Sequence, residues 1–374
     1  MPSVDKTALI TARENLDKIA GDGTARGLER QAAGAIAVGD LWRAEKVARS
    51  ALNLGPNDRL AVLTLAASLR QQCRFEEASR IYLDLIKHDS LDSDAYLGMA
   101  DTTFAANKRP EAFRWLERAG NEGAQTALSL STIAHRFQDW KDYPNAERTA
   151  ARAVQAAPAD IDSQLQLASI QVESTKLEDG YRTLDAILAQ DPNNGLAHRL
   201  MAVLLLNSAN THQDINRARR LLERAVELTL RDADIYRSAA VVYREQRLYR
   251  LTTQAYDALL HLDPTSVDAR YGLGKMYMLL GKADMGREQL ALYAKLDDRQ
   301  RHVARLSEDA AHHPLLAEGH AALARYLESS GDYARAQPQY QTAAGLAPGS
   351  PAIKRDLLRF YSRLGWSLPE RKIQ

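Results

Sequence analysis

Three kinds of side chain in this 374-residue sequence have the chemistry to act on another molecule. His312, His313 and His320 are of the type that ligates transition metals. Cys73 is the single cysteine, so it is the one candidate thiol nucleophile, and no disulfide or multi-cysteine metal site can form within the chain. The third kind is a run of cations and aromatics in the second half: Arg237, Arg244, Tyr271, Lys275, Arg325, Arg355 and Arg359. Arginine meets a carboxylate through two parallel hydrogen bonds, so such a run suits an acidic ligand. Motifs for harder chemistry are missing. There is no phosphate-binding glycine loop, no dinucleotide fingerprint and no Gly-x-Ser-x-Gly elbow. His312 and His313 precede Pro314 in a turn-like stretch, so they are expected to hold no metal, and no cofactor is expected.

The elements that must position these residues are helices in a repeat. Alanine is 61 of the residues and aromatics only 6%, a composition suited to closely packed helices. Segments ending in a turn with proline recur at Pro56, Pro158, Pro192, Pro264 and Pro348. Pro56 and Pro158 are three steps of 34 apart, and Pro192 follows after one more. Repeats aligned on these prolines begin at Ala25, Arg59, Ser93, Ala127, Ile161, Gly195, Ala233, Val267 and Ala317, with a half repeat at Pro351. The eighth place is Ala32, Ala66, Ala100, Ala134, Ala168, Ala202, Ala240, Gly274 and Ala324, small every time, although Ala and Gly together make up only 81 residues of the chain. The twentieth place is small as well, from Ala44 and Ala78 to Gly286 and Ala336. Gly39-Asp40, Gly281 and Gly331-Asp332 mark turns between the paired helices.

A 34-residue helix–turn–helix unit with small residues at these two places resembles the tetratricopeptide repeat, over residues 25 to about 366. The resemblance implies an all-α fold, a right-handed α-α superhelix of antiparallel helix pairs. Each pair is amphipathic and buries its apolar stripe only by stacking on its neighbours, which predicts one continuous array without a central core. The expected layout is a capping helix in 1–24 stopped by Gly21-Asp22-Gly23, the array over 25–350, and a capping helix and tail over 351–374, with Trp366 covering the exposed end. Two insertions break the period. Residues 207–215 lengthen a turn, and residues 297–316 add a polar turn and one extra helix. Cys73 falls in a turn and, with no histidine near it in the repeat frame, is expected to be a free surface thiol.

In this family the first helix of each pair lines the concave groove. That places Arg237, Arg244, Tyr271, Lys275, Arg325, Arg355 and Arg359 in the groove of the second half, and Phe104 and His135 in that of the first. The 49 basic and 48 acidic residues give a net charge of +1, which excludes nucleic-acid binding by bulk charge. The balance hides a polarity: residues 1–194 carry 23 basic and 28 acidic side chains, residues 195–374 carry 26 and 20. These readings predict a non-enzymatic bacterial scaffold that binds a protein or peptide segment, acidic where the cationic half leads. The alternative is the repeat portion of a larger polysaccharide-export or glycosyltransferase assembly that handles glycan. No apolar run approaches the ~18 residues that span a bilayer. The chain as written reads as cytoplasmic, or as periplasmic if a signal peptide has been removed.

Overall fold

The computed structural model describes residues 6–19, 24–208, 211–229 and 232–366. Gly21-Asp22-Gly23, part of the 207–215 insertion and the tail after Trp366 lie outside the described residues. All regular structure among the described residues is helical. The elements are α1 (Lys6–Ile19), α2 (Ala25–Ala37), α3 (Leu41–Leu54), α4 (Arg59–Gln71), α5 (Phe75–His88), α6 (Ser93–Ala105) and α7 (Arg109–Glu122). Next come α8 (Ala127–Asp139), α9 (Tyr143–Ala156), α10 (Ile161–Glu173), α11 (Leu177–Gln190), α12 (Gly195–Ser208), α13 (His212–Leu228), α14 (Ala233–Glu245), α15 (Tyr249–Leu262) and α16 (Val267–Leu279). The chain continues through α17 (Ala283–His312), α18 (Ala317–Ser329), α19 (Tyr333–Leu346) and α20 (Pro351–Arg363).

Local chemistry sets these boundaries. The first helix of a pair begins on a capping side chain that accepts a first-turn N–H, as at Thr24, Asp58, Asp92, Thr126, Asp160, Asp232, Ser266 and Ser350. The turn that follows the first helix contains one left-handed residue at the fifteenth place: Gly39, Cys73, Asn107, Lys141, Thr175, Arg247, Gly281, Gly331 and, after the half repeat, Gly365. Only four of these nine are glycine, so the conformational freedom of glycine does not by itself set the turn. The alanines at the eighth and twentieth places are fully buried where two helices cross. Where both places are glycine, a Cβ on Gly274 would come within 3.2 Å of Gly286 O.

The described chain packs as two units: residues 3–124 with 301–374, and residues 125–300. The second is a run of successive helix pairs. The first differs from a stack of nearest neighbours, because it joins the beginning of the chain to its end. Leu9 of α1 and Trp42 of α3 share one core with Leu327, Tyr340, Leu357 and Phe360. Gln341 on α19 is buried, and its Oε1 accepts from Leu41 N at 2.8 Å and Trp42 N at 3.3 Å. Its Nε2 donates to Asp40 Oδ1 at 2.9 Å and to Tyr361 OH at 2.7 Å. The first-turn donors of α3, which have no partner inside their own helix, are thus met by a residue three hundred positions away. Pro338 inside α19 gives no N–H to Ala334 O, and Gly39 fits there so closely that a Cβ would come within 2.9 Å of that oxygen. Trp366 covers no bare end: its ring meets Tyr361 edge-on, and the guanidinium of Arg13 from α1 lies 4.1 Å from its centroid.

The insertions also take another form than expected. The extra residues before α13 mostly lengthen that helix to 17 residues, started by a capping box of Thr211 and Asp214. In place of a polar turn near 297, α17 continues unbroken for 30 residues.

Candidate functional site

Within the second unit a cavity of about 490 Å³ opens between α14, α15 and α16. α14 contributes Arg237, Val241 and Arg244, which are spaced so that they share one helical face. α16 contributes Asp268, Tyr271, Gly272, Lys275 and Met276 on the facing stripe, and α15 contributes Tyr256 and Leu259 as the floor. Val241 and Tyr271 are more than a third exposed, so the wall offers apolar and aromatic surface to an incoming chain.

The charges of the cavity are only partly spent. Arg237 pairs with Asp234 one turn earlier on α14. Arg244 reaches its neighbour Glu245 at 3.2 Å. Both pairs are on the surface, where such contacts are worth about 0–1 kcal/mol each. Lys275 has no carboxylate within ion-pair distance among the described residues, and its ammonium sits 4.5 Å from the Tyr271 ring centroid. The Tyr271 ring is held in turn by Tyr293 at 5.0 Å. Burial raises the pKa of the Tyr256 phenol, and the neighbouring Arg244 opposes that rise. At neutral pH the phenol therefore keeps its proton and can donate it in a hydrogen bond.

The remaining sequence candidates fall elsewhere. In the first unit, Arg325 bonds Glu318 and reaches Asp356 at 3.2 Å, and Arg359 meets Asp356 at 3.1 Å and Glu328 at 3.4 Å. Glu328 is buried, and it also takes Arg363 at 2.8 Å and Tyr340 OH at 2.6 Å. This network satisfies itself. Arg355 is exposed on α20, and Phe104 lies under Arg109 with the guanidinium 5.5 Å from its ring. His135, in the second unit, is exposed on α8 beside Asp139 at 3.9 Å. The structure thus brings Arg237, Arg244, Tyr271 and Lys275 together in one cavity, whose lining does not include His135, while Phe104, Arg325, Arg355 and Arg359 belong to the first unit. Tyr256 and Gly272 were not among the sequence candidates for the groove. The signal that marks them is a tyrosine at the twenty-fourth place of one repeat matched to a glycine at the sixth place of the next.

Cys73 is a free thiol, as expected, but it does not lie openly on the surface. It is partly buried, burial pushes its pKa up to about 11, and its Sγ lies 3.8 Å from His320 Nε2. The repeat frame hides this contact, which belongs to the packing of the chain's two ends. His320 does not activate the thiol, since its Nε2 is 3.0 Å from Pro314 O and its Nδ1 is 2.7 Å from Gln339 Oε1. Both ring nitrogens of His320 thus have partners within the protein. No group of three or more His, Cys, Asp or Glu among the described residues is placed to hold a metal ion. No helix among them is long and apolar enough to cross a membrane.

Comparison with known proteins agrees with the repeat. A family model described as tetratricopeptide repeat matches residues 141–204. No curated protein matches the chain. Among solved structures, a tetratricopeptide repeat protein from Parabacteroides merdae aligns at 14% identity, over 68% of this chain and 98% of that one, with a TM-score of 0.47. MamA from Desulfovibrio magneticus aligns at 18% identity, over 46% of this chain and 96% of that one, with a TM-score of 0.39. The Cut9–Hcn1 hetero-tetramer of APC/C aligns at 14% identity, over 94% of this chain and 59% of that one, with a TM-score of 0.42.

Proposed function

We propose that this chain, a tetratricopeptide repeat protein, is a non-catalytic scaffold that holds an acidic segment of a partner protein in the cavity between α14 and α16. One observation carries the reading: side chains from two successive repeats converge there on apolar and aromatic surface, and Lys275 has no carboxylate within ion-pair distance among the described residues. Charge complementarity then selects the partner. A half-buried wall screens charge less than open surface, so an acidic residue gains more here than on the outer faces of the helices. The fold suits the task because a preformed array spends little ordering entropy on binding.

The test is triple charge reversal, Arg237→Glu, Arg244→Glu and Lys275→Glu, with a fluorescent peptide of alternating glutamate and leucine as probe. Binding by the parent protein that weakens with salt, and falls at least about tenfold in the variant, supports the reading. Equal binding by both at low salt removes the cavity from the account.

A further inference from the structure

The seat of Tyr256 is built twice. In the second unit Tyr256 has the twenty-fourth place of the repeat that starts with α14, and its ring presses on Gly272, the sixth residue of α16. A Cβ on Gly272 would come within 2.2 Å of Tyr256 Cζ, so only glycine leaves room for the ring. In the first unit Tyr82 has the twenty-fourth place of the repeat that starts with α4, and it presses in the same way on Gly98, the sixth residue of α6. There a Cβ would meet Tyr82 Cε1 at 2.2 Å. The twelfth place is arginine in both repeats, Arg244 and Arg70, and each guanidinium acts on its buried phenol, opposing the pKa rise that burial causes. The other tyrosine at a twenty-fourth place, Tyr340, is followed by Asp356 and not glycine at the sixth place of the next repeat, and it bonds Glu328 at the twelfth, so it forms no such seat.

The two seats share an acid at the second place of the following helix, Asp94 and Asp268. They differ at its ninth place. In the first unit this is Asp101, which sits 4.0 Å from Arg70 Nη2. In the second it is Lys275. Arg70 Nε is buried and makes no hydrogen bond among the described residues, so Asp101 holds that guanidinium by charge at a distance and does not clasp it with two bonds.

We propose that Asp101 is a built-in occupant of the first seat and marks where a partner's carboxylate binds in the second. The Arg244–Tyr256–Lys275 seat takes the side-chain carboxylate of an aspartate or glutamate from the partner segment. The ninth place decides whether a seat is filled from within or open to a partner. Arg244 and Lys275 supply the charge and the Tyr256 hydroxyl supplies a donor, while Tyr271 and Val241 take the apolar residue beside the acid. This inference rests on the binding reading of the same cavity and goes further, naming the group recognised and the residue that controls access to it.

The test uses the full chain and calorimetric titration with an acetylated, amidated peptide of alternating glutamate and leucine. The variants are Lys275→Asp, which copies the first seat into the second, and Asp101→Lys with Asp101→Asn, which open the first seat. Helical circular dichroism and melting show that each is folded, and the asparagine variant serves if the lysine variant is not. The parent is expected to bind one peptide, Lys275→Asp to bind at least about tenfold more weakly, and the Asp101 variants to bind two. If the parent binds one peptide but Lys275→Asp is unchanged, or a folded Asp101 variant still binds one, the seat assignment is overturned while the binding reading stands. If the parent binds none, the binding reading fails and the inference fails with it. A peptide with glutamine for glutamate and a free terminal carboxylate is expected not to bind, and equal binding by it overturns the assignment to a side-chain acid.

Discussion

Replacing Gln341 by leucine keeps the volume of a buried side chain and removes every polar contact it makes. Its amide oxygen serves two first-turn N–H groups of α3, and its amide nitrogen serves the Asp40 carboxylate and the Tyr361 hydroxyl. All of these groups are buried. A net hydrogen bond between neutral groups is worth about 1 kcal/mol, and one to a charged group about 1.5–3 kcal/mol. A buried donor or acceptor left unpaired costs a further 1–3 kcal/mol or so, and water entering the site recovers part of that. Because the contacts share one residue they do not add independently, and a loss of about 3–5 kcal/mol follows. Gln337 is the internal control. It lies one turn earlier on α19, is just as buried, and its amide finds no close hydrogen-bond partner among the described residues, with only a weak approach to the Tyr361 hydroxyl. Gln337→Leu is therefore expected to be neutral or stabilising. Urea unfolding followed by circular dichroism gives both values, and hydrogen exchange localises the effect. For Gln341→Leu, exchange should rise at the start of α3 as well as in α19 and α20, since the donors of α3 lose their partner. A loss below about 1 kcal/mol, or faster exchange confined to α19 and α20, refutes the claim that the two ends of the chain form one cooperative structure.

Three further outcomes are expected. Thr175 is a β-branched residue in the left-handed region, with φ 60°, so Thr175→Gly should raise stability by about 0.5–1 kcal/mol in the same urea assay. Ala134 is fully buried at a helix crossing, and Ala134→Leu should lower the midpoint by the equivalent of about 1–3 kcal/mol through overpacking. The Cys73 thiol is held neutral up to a pKa of about 11, from an ordinary value of 9.0. The folded state thus keeps this proton after the unfolded chain has lost it, so the contribution is intact below pH 9 and lost as pH rises towards 11. The stability difference between the parent and Cys73→Ser should therefore shrink over that range, and a flat difference contradicts the assignment.

The fold was legible where it repeats. A small residue at the eighth place of each repeat is a statement about helix crossings, and the structure buries completely the eight alanines that stand there. The turns were less legible, because Cys73, Asn107, Lys141, Thr175 and Arg247 take the conformation that glycine announces elsewhere. Periodicity could not show the packing of the two ends, since it reports each helix's apolar face and not a bond between Gln341 and Asp40. The charge polarity along the sequence dissolves for the same reason. The first packing unit joins acidic early residues to basic late ones and carries 27 basic and 25 acidic side chains, while the second carries 22 and 23. At the site, helical spacing was enough to group Arg237 with Arg244 and Tyr271 with Lys275. It missed Tyr256, which comes from the second helix of its pair and reaches the cavity only because Gly272 has no side chain.

The most direct test of the account is site-specific photocrosslinking. A benzophenone side chain is placed at Val241, in the cavity wall, or at Leu128, a highly exposed residue on α8 of the same unit that does not line it. Each protein is irradiated with the glutamate–leucine peptide at low salt and again at high salt. Labelling from Val241 that salt suppresses, with none from Leu128, is the predicted result. Equal labelling from the two positions, or labelling from Val241 that salt leaves unchanged, contradicts recognition of an acidic segment by this cavity.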